Sequence, residues 1–276
     1  MIIDCKLLAN DLQNTLEKEI KKLNKELRID LIYFDNSLET EYYFLNIQNK
    51  AESMGIKAVL HRLNVNTTKE QDFITLINYL NDEKEVNGII IQMPLPTHIS
   101  KDKVSEVLSY KKDLDCISYN NIGKLFSNYN IISPCTASSI MYILDSINID
   151  FAGKNIVIVG RSDIVGKPLM HLLLQKSATV TMTHSKTNDL ENICNKADIL
   201  CVAIGSAEFI GANYIKEGAI VIDAGINVLD DGSVIGDIKF DEVEKKASYI
   251  TKVPSGVGRI TTLMLFYNLI KLVQIQ

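Results

Sequence analysis

Short apolar runs alternate with longer amphipathic segments along the first half of the chain, and this alternation restricts the possible folds. It predicts strands at residues 29–34, 58–63 and 88–92, and helices at residues 7–27, 39–54 and 69–81. The run at 88–92 is continuously apolar, which is typical of a strand buried on both faces. Because parallel strands are joined by right-handed helical crossovers, this order predicts an α/β unit with a parallel sheet.

The middle of the chain carries weaker signals. Pro94 and Pro96 interrupt the pattern, and a short helix is predicted at residues 104–108. Residues 111–134 combine weak periodicity with many turn-forming residues, so we interpret them as a functional loop and an interdomain connection. A helix predicted at residues 138–147 leads into a second lobe.

The second half again alternates strands and helices. Strands are predicted at residues 155–159, 179–183, 199–204 and 219–226, and helices at residues 168–174, 189–195 and 262–273. A chain of 276 residues is long enough for two domains. We therefore predict two α/β lobes with a cleft between them, the second lobe being a Rossmann-like dinucleotide-binding domain.

Composition excludes several classes of protein. The net charge of -5 gives no reason to expect binding to nucleic acid, whose ligands usually carry a basic face. No segment has the ~20 apolar residues that a membrane helix needs, and no basic region precedes a long apolar run at the N-terminus. We expect a cytoplasmic protein with no membrane partner.

The cysteines and histidines give no sign of a metal site. The five cysteines are odd in number, scattered, and form no CxxC pair, so we interpret them as buried or idle reduced thiols. No cluster of His, Cys and Asp has the spacing of metal ligands.

A glycine-bearing loop follows the predicted strand at 155–159 and opens a helix. Gly160 and Gly166 allow close approach of the backbone to a pyrophosphate, although the spacing is not GxGxxG and an ordinary turn remains an alternative. The next strand ends without a carboxylate for the ribose 2′-hydroxyl. Instead Ser185 and Lys186, with Arg161 from the loop, suit a 2′-phosphate, which favours NADP over NAD. The alternative is that Lys186 is only a solvated charge.

Several ordered motifs resemble one family, the bifunctional methylenetetrahydrofolate dehydrogenase/methenyltetrahydrofolate cyclohydrolases. Residues 88–96, GIIIQMPLP, resemble the family's GILVQLPLP, and residues 160–168, GRSDIVGKP, match its GRSxxVGxP. Further matches are KDLD at 112–115, PCT at 134–136, HSKT at 184–187, GD at 236–237 and VPSGVG at 253–258. The resemblance covers almost the whole chain.

The resemblance implies a domain organisation and a reaction. Residues 1–136 with 260–276 would form the folate-binding catalytic domain, and residues 137–259 the NAD(P)-binding domain. The implied reaction oxidises 5,10-methylenetetrahydrofolate with NADP and hydrolyses the methenyl product to 10-formyltetrahydrofolate. A homodimer is also implied.

The resemblance further implies site residues. Tyr43, Gln92 and Asp115 would serve the folate chemistry, Asp115 by binding the pterin. The implied cofactor-binding set is Gly160, Arg161, Ser162, Gly166, Pro168, Ser185, Lys186 and Thr187.

One departure from the family concerns catalysis. Four residues after the tyrosine the family has a lysine that assists hydrolysis, whereas this chain has Ile47. Lys50 lies on the same predicted helical face as Tyr43 and Ile47, and we consider it as a partial substitute. Two further departures are Ser255 for a glycine and Arg259 for a proline.

Three hypotheses about the activity follow from the sequence. The first is a dehydrogenase with weak or absent cyclohydrolase activity, the second a fully bifunctional enzyme, and the third a catalytically impaired folate- or dinucleotide-binding paralogue.

Overall fold

The computed structural model describes all residues 1–276 and divides into two compact units. The three-strand unit comprises Gln13–Ser133 and Leu265–Gln276, and the five-strand unit comprises Met1–Leu12 and Pro134–Met264. Contacts thus group the first twelve residues with the five-strand unit. The functional domain boundaries given above stay a prediction.

The three-strand unit contains a parallel sheet, as the sequence predicts. Its strands are β1 (Leu27–Phe34), β2 (Ile56–Leu63) and β3 (Gly88–Ile91), in the order β2-β1-β3. Helix α1 (Cys5–Leu23) precedes them, and α2 (Leu38–Ser53) and α3 (Glu70–Asp82) form the crossovers. Ile29, Leu31 and Ile32 on the central strand are fully buried, which explains why its apolar run is nearly continuous.

Helices α4 (Lys101–Val107) and α5 (Tyr119–Phe126) follow the sheet in this unit. Helix α10 (Gly258–Val273) begins in the five-strand unit and ends in this one. The segment at 111–134, predicted as a functional loop and interdomain connection, also contains a helix, because α5 lies within it. Ser118 caps this helix by accepting a hydrogen bond from the Asn121 amide, and Leu125 is buried beneath it. A two-turn helix is too short for its periodicity to stand out from polar neighbours.

The five-strand unit has a doubly wound parallel sheet. Its strands are β4 (Asn155–Val159), β5 (Thr179–Thr183), β6 (Ile199–Val202), β7 (Ile220–Asp223) and β10 (Tyr249–Ile250), in the order β10-β7-β6-β4-β5. The first strand, β4, lies between β5 and β6, so the chain changes direction across the sheet there. Ligands of such sheets bind outside the carboxyl ends of the strands at this switch point.

The connections of the five-strand unit include elements that the sequence analysis missed. The helices are α6 (Cys135–Ser146), α7 (Gly166–Gln175), α8 (Leu190–Cys194), α9 (Phe240–Val243) and a 3-10 turn at Ala212–Tyr214. A small hairpin pairs β8 (Asn227–Val228) with β9 (Val234–Ile235). The hairpin, α9 and β10 have two to four residues each. Segments this short carry no measurable period, and the predicted strands at 199–204 and 219–226 also end earlier than expected.

The cysteines confirm the interpretation as buried, reduced thiols. All five are buried and free. Burial raises the pKa of Cys5 to about 11 and also raises the pKa of Cys116. Such thiols stay protonated, which disfavours nucleophilic chemistry. Separately, no helix of the protein combines the length and hydropathy required to cross a membrane.

Candidate functional site

Gln92 lies at the carboxyl ends of β1 and β3, where the order β2-β1-β3 puts the switch point, and hence the expected ligand crevice, of this parallel sheet. Its backbone N–H donates to the Ile32 carbonyl at 2.9 Å, and its Oε1 accepts from the Phe34 amide at 2.7 Å. Its Nε2 donates to Asn36 Oδ1 at 3.1 Å. These contacts fix the orientation of an amide that is only 6% exposed. Gln92 therefore lies at the edge of the sheet where ligands of parallel sheets bind.

Helix α2 begins beside this crevice and presents Tyr43. Ser37 caps the helix by accepting from the Thr40 amide at 3.0 Å. The Tyr43 ring meets Phe44 edge-on at 5.5 Å between centroids and is 44% exposed. Phe44 itself is buried and stacks on Tyr33 at 5.0 Å. The buried ring thus anchors the helix and leaves the tyrosine accessible to a ligand.

Ile47 and Lys50 differ in their surroundings on the same helix. The Ile47 side chain is fully buried, so it supplies packing and no polar atom. Lys50 is half-buried, and its Nζ donates to Oε1 of Gln13. An ammonium group has three donors, so this bond leaves capacity for another acceptor. A substituting role for Lys50 stays a prediction.

The loop that carries Asp115 is held by two buried charged residues. The Lys112 ammonium donates to the carbonyls of Leu80, Asn81 and Glu83 at 2.9, 2.7 and 2.6 Å, and so caps the C-terminus of α3. These oxygens replace the water that the buried charge gives up.

The neighbouring carboxylate, Asp113, holds the other end of this loop by accepting hydrogen bonds. Asp113 is fully buried and accepts from the amides of Ile117 and Ser118 and from the Asn121 side chain, at 2.9 to 3.0 Å. Asp115, two residues further, is only partly buried. Lys112 and Asp113 therefore fix the loop, and the last carboxylate of the KDLD motif remains accessible.

Asn268 on α10 clamps the same loop, and sequence reasoning missed it. Its buried Nδ2 donates to the carbonyls of Leu114 and Ser133 at 2.8 and 2.9 Å. A single amide within the largely apolar run at residues 263–270 was the available signal, because a buried polar side chain requires partners. By binding the Leu114 carbonyl, Asn268 positions the residue immediately before Asp115.

The glycine loop of the five-strand unit lies at the switch point of its sheet. Gly160 follows β4 with φ +129°, and a Cβ there would lie 2.3 Å from the Ala203 carbonyl oxygen after β6. A Cβ on Gly166 would lie 2.3 Å from the Gly160 oxygen. Both positions therefore require glycine, and at Gly160 the backbone packs directly against the residue that follows β6.

Ser162 organises the start of α7. Its Oγ accepts from the amides of Val165 and Gly166 at 3.2 and 3.4 Å. The helix begins at Gly166, so the predicted start at Pro168 is wrong by two residues. Proline is nonetheless accommodated in the first turn, where its missing N–H has no helical acceptor. Arg161 and Ser162 are exposed on the loop.

The turn after β5 is closed by Thr187 and His184. Thr187 Oγ1 accepts from the His184 amide at 2.9 Å, and His184 Nδ1 accepts from the Lys186 amide at 3.1 Å. The imidazole therefore stabilises the turn and exposes Ser185 and Lys186 at its tip. Since β4 and β5 are adjacent and parallel, this tip and the glycine loop share one edge of the sheet.

A buried carboxylate lies at the end of β7. Asp223 accepts from the amides of Gly225, Asp237 and Ile238 at 2.9 to 3.2 Å. Burial nevertheless raises the pKa of Asp223 to about 6, because desolvation disfavours the charged form more than the amides favour it.

This raised pKa predicts a pH-dependent stability. Because the folded pKa lies above the unfolded value, protonated Asp223 stabilises the fold below about pH 4, and this contribution is lost as the pH rises through 6. Between pH 4.5 and 7.5 we expect Asp223 to account for a loss of about 2 kcal/mol. Urea unfolding of wild type and Asp223→Asn at both pH values measures it. Equal pH slopes for the two proteins would contradict the assignment.

Comparison with known families completes the description of the site. Residues 3–115 match the catalytic domain of tetrahydrofolate dehydrogenase/cyclohydrolase, and residues 134–276 match its NAD(P)-binding domain. The chain belongs to this family. The family that the motifs predict is thereby confirmed.

Individual members of the tetrahydrofolate dehydrogenase/cyclohydrolase family match over nearly their full length. The bifunctional protein FolD of Brachyspira hyodysenteriae is 55% identical over 98% of this chain and 96% of its own. The FolD crystal structure from Campylobacter jejuni is 36% identical, with a TM-score of 0.95 over 99% of this chain and 98% of that one. The Trypanosoma brucei enzyme, solved with NADP and an inhibitor, is 31% identical, with a TM-score of 0.94 over 99% and 97%.

Proposed function

We propose that this chain oxidises 5,10-methylenetetrahydrofolate to 5,10-methenyltetrahydrofolate with NADP and hydrolyses that product to 10-formyltetrahydrofolate. The observation that carries the proposal is the glycine loop at the switch point of the five-strand sheet, in a chain whose other unit keeps Gln92 at the carboxyl ends of its strands and Asp115 on the loop that follows the bridge from Asp113 to β3. Membership of the tetrahydrofolate dehydrogenase/cyclohydrolase family supports it.

The five-strand unit fits NADP. Because Gly160 packs against the Ala203 carbonyl and Gly166 against the Gly160 carbonyl, the loop forms the tight strand-to-helix turn at which dinucleotide folds bind a pyrophosphate. In the proposed site Gly160, Ser162, Gly166 and Pro168 shape the loop, while Arg161, Ser185, Lys186 and Thr187 would hold the 2′-phosphate. When bound, NADP accepts the hydride in the oxidation.

The three-strand unit supplies binding and orientation for the folate. The accessible carboxylate of Asp115 can accept paired hydrogen bonds from the pterin amino group and a ring N–H. Tyr43 offers an exposed ring and hydroxyl beside the crevice. The hydride step requires these groups to hold the donor carbon in place and asks no proton transfer of residue 47.

The hydrolytic step asks more of the chain. Water has to be oriented and deprotonated, and Ile47 can neither donate a hydrogen bond nor carry charge. Loss of a general acid–base group typically costs on the order of 10²- to 10⁴-fold in rate. We therefore expect the dehydrogenase activity to exceed the cyclohydrolase activity by more than in relatives that have the lysine.

Two assays of the purified protein test the proposed function. The first follows NADPH formation from 5,10-methylenetetrahydrofolate, with NAD as the comparison. The second follows the decay of added methenyltetrahydrofolate against the uncatalysed rate. Ligand binding without either activity would refute the proposal and favour the catalytically impaired binding protein.

The turn after β5 predicts the cofactor preference. We expect Lys186→Ala to weaken NADP binding about 10-fold and to leave NAD binding nearly unchanged, because only NADP offers a phosphate to the ammonium. Arg161→Ala should act in the same direction. Lys176→Ala is the matched control, since Lys176 lies just beyond the other end of α7 and pairs with Asp145. Equal losses for both cofactors would contradict the assignment.

We also propose that the protein acts as a homodimer in the cytoplasm, as the family resemblance implies. Analytical ultracentrifugation at micromolar concentration would detect a dimer of 30.9 kDa chains. A single monomeric species would contradict this part of the proposal.

A further inference from the structure

The turn after β6 is fixed by one buried carboxylate. Asp237 Oδ2 accepts from the amides of Ile204 and Gly205 at 2.7 and 3.1 Å, and Oδ1 accepts from the amide of Ser206 at 2.8 Å. Gly205 has φ +62°, which allows three successive N–H groups to point toward one anion. The turn therefore depends on Asp237 for its conformation.

Asp237 is itself held firmly. Its side chain is fully buried, and the Asn227 amide donates a fourth hydrogen bond to Oδ1 at 3.0 Å. Asp223 Oδ1 accepts from the Asp237 backbone N–H at 3.2 Å. A Cβ on Gly225 would lie 2.2 Å from Asp237 Cγ. The carboxylate thus has neither free space nor an alternative position.

This turn lies next to the glycine loop. Ala203, which precedes the turn, is the residue whose carbonyl oxygen excludes a Cβ at Gly160. The amides that Asp237 binds begin at the very next residue. Any relaxation of the turn would consequently move the backbone that borders the switch point between β4 and β6.

We infer that Asp237 is a positioning residue for the dinucleotide crevice: by binding three successive amides it holds the turn Ile204–Ser206 in the shape that the cofactor requires. This inference rests on the proposed function, which places NADP at that edge of the sheet. Asp237 does not contact the cofactor in this proposal and acts through the turn.

The chemistry of the contacts supports a positioning role. Burial of a carboxylate is costly, and here the cost is offset by four directed hydrogen bonds. Both oxygens act only as acceptors, so an amide in either orientation would place an NH₂ group against backbone N–H donors. A neutral side chain therefore cannot reproduce the arrangement.

The test is direct binding of NADPH, measured by the change in its own fluorescence. We expect Asp237→Asn to weaken NADPH binding on the order of 10-fold or more, because two acceptor contacts are lost. The KM for the folate substrate should remain near that of wild type. Asn227→Ala removes one of the four hydrogen bonds and should give a smaller loss in the same direction.

Asp198→Asn is the matched control. Asp198 accepts from the Asn155 amide at 3.0 Å and pairs with Lys216, at the amino edge of the same sheet. It should leave NADPH binding unchanged. A merely structural role for Asp237 would lower the folded fraction, measured by circular dichroism, without changing the dissociation constant of the folded protein.

The outcomes separate the inference from the proposed function. Unchanged NADPH affinity in both Asp237→Asn and Asn227→Ala, with an active wild type, would overturn the inference and leave the function intact. Loss of affinity in Asp198→Asn equal to that in Asp237→Asn would also overturn it. Failure of wild type to bind NADPH would instead refute the proposed function.

Discussion

Replacement of Ile47 by lysine is expected to raise the cyclohydrolase rate on the order of 10²-fold or more and to leave the hydride-transfer rate near that of wild type. The reason is chemical: position 47 follows Tyr43 by one helical turn, and a lysine there supplies an ammonium that isoleucine lacks. Decay of added methenyltetrahydrofolate and formation of NADPH measure the two rates separately.

Burial affects how the new lysine would behave. Ile47 is fully buried, so an introduced ammonium would lose hydration, and its pKa would fall below the ordinary value. A lysine whose pKa approaches neutrality exchanges protons more readily near pH 7. The same burial predicts a lower melting temperature for Ile47→Lys.

Two variants make this prediction decisive. Ile47→Met has a long, unbranched side chain without charge and should show no gain in hydrolysis. Lys50→Met tests the alternative source of an ammonium, which now bonds to Gln13. If wild type already accelerates methenyl decay strongly and Lys50→Met abolishes that acceleration, Lys50 has replaced the missing lysine. An unchanged rate in Ile47→Lys would show that position 47 does not limit the reaction.

Gly160→Ala is expected to impair both stability and cofactor binding. The new Cβ would lie 2.3 Å from the Ala203 oxygen, and φ of +129° is unfavourable for alanine. Strain and overpacking together should cost roughly 2–5 kcal/mol of unfolding free energy. Relief of the contact requires the loop to move, and a displacement of about 1 Å can cost on the order of 10²-fold in function.

A second glycine separates the two causes of this effect. Gly218 has φ +77°, but a Cβ there would meet nothing within 4 Å. Gly218→Ala should therefore cost only about 1–3 kcal/mol from backbone strain and should leave NADPH affinity unchanged. Chemical denaturation and NADPH titration of both variants measure the difference. Equal behaviour of Gly160→Ala and Gly218→Ala would show that the close approach to Ala203 has no functional role.

Features set by local periodicity were available from the sequence. The parallel strands of both units except β10, and the longer crossover helices, follow from apolar spacing, and the strand at 155–159 is predicted to the residue. The motif at 160–168 and the KDLD motif also indicated where the proposed sites lie. Their order along the chain identified the family, which the comparisons confirm.

Features set by contacts between distant residues were not available. Helix α5 within residues 111–134 was missed for a different reason: it has only two turns, too few for a clear period, although Ser118 caps it and Leu125 is buried. The sequence likewise gave no indication that Lys112 binds carbonyl groups at the end of α3, since these lie about thirty residues away.

The sequence by itself determined the fold class, the family and the loss of an ammonium at position 47, because each depends on residue type at a fixed spacing. Only the tertiary structure decided which buried polar residues hold the loops of the proposed sites. Asn268 meets the loop before Asp115 across more than 130 residues, and Asp237 binds the turn at Gly205 across 32. The physical reason is that a buried polar group is stabilised by whichever donors and acceptors the folded chain brings to it, and their identity is not encoded in nearby sequence.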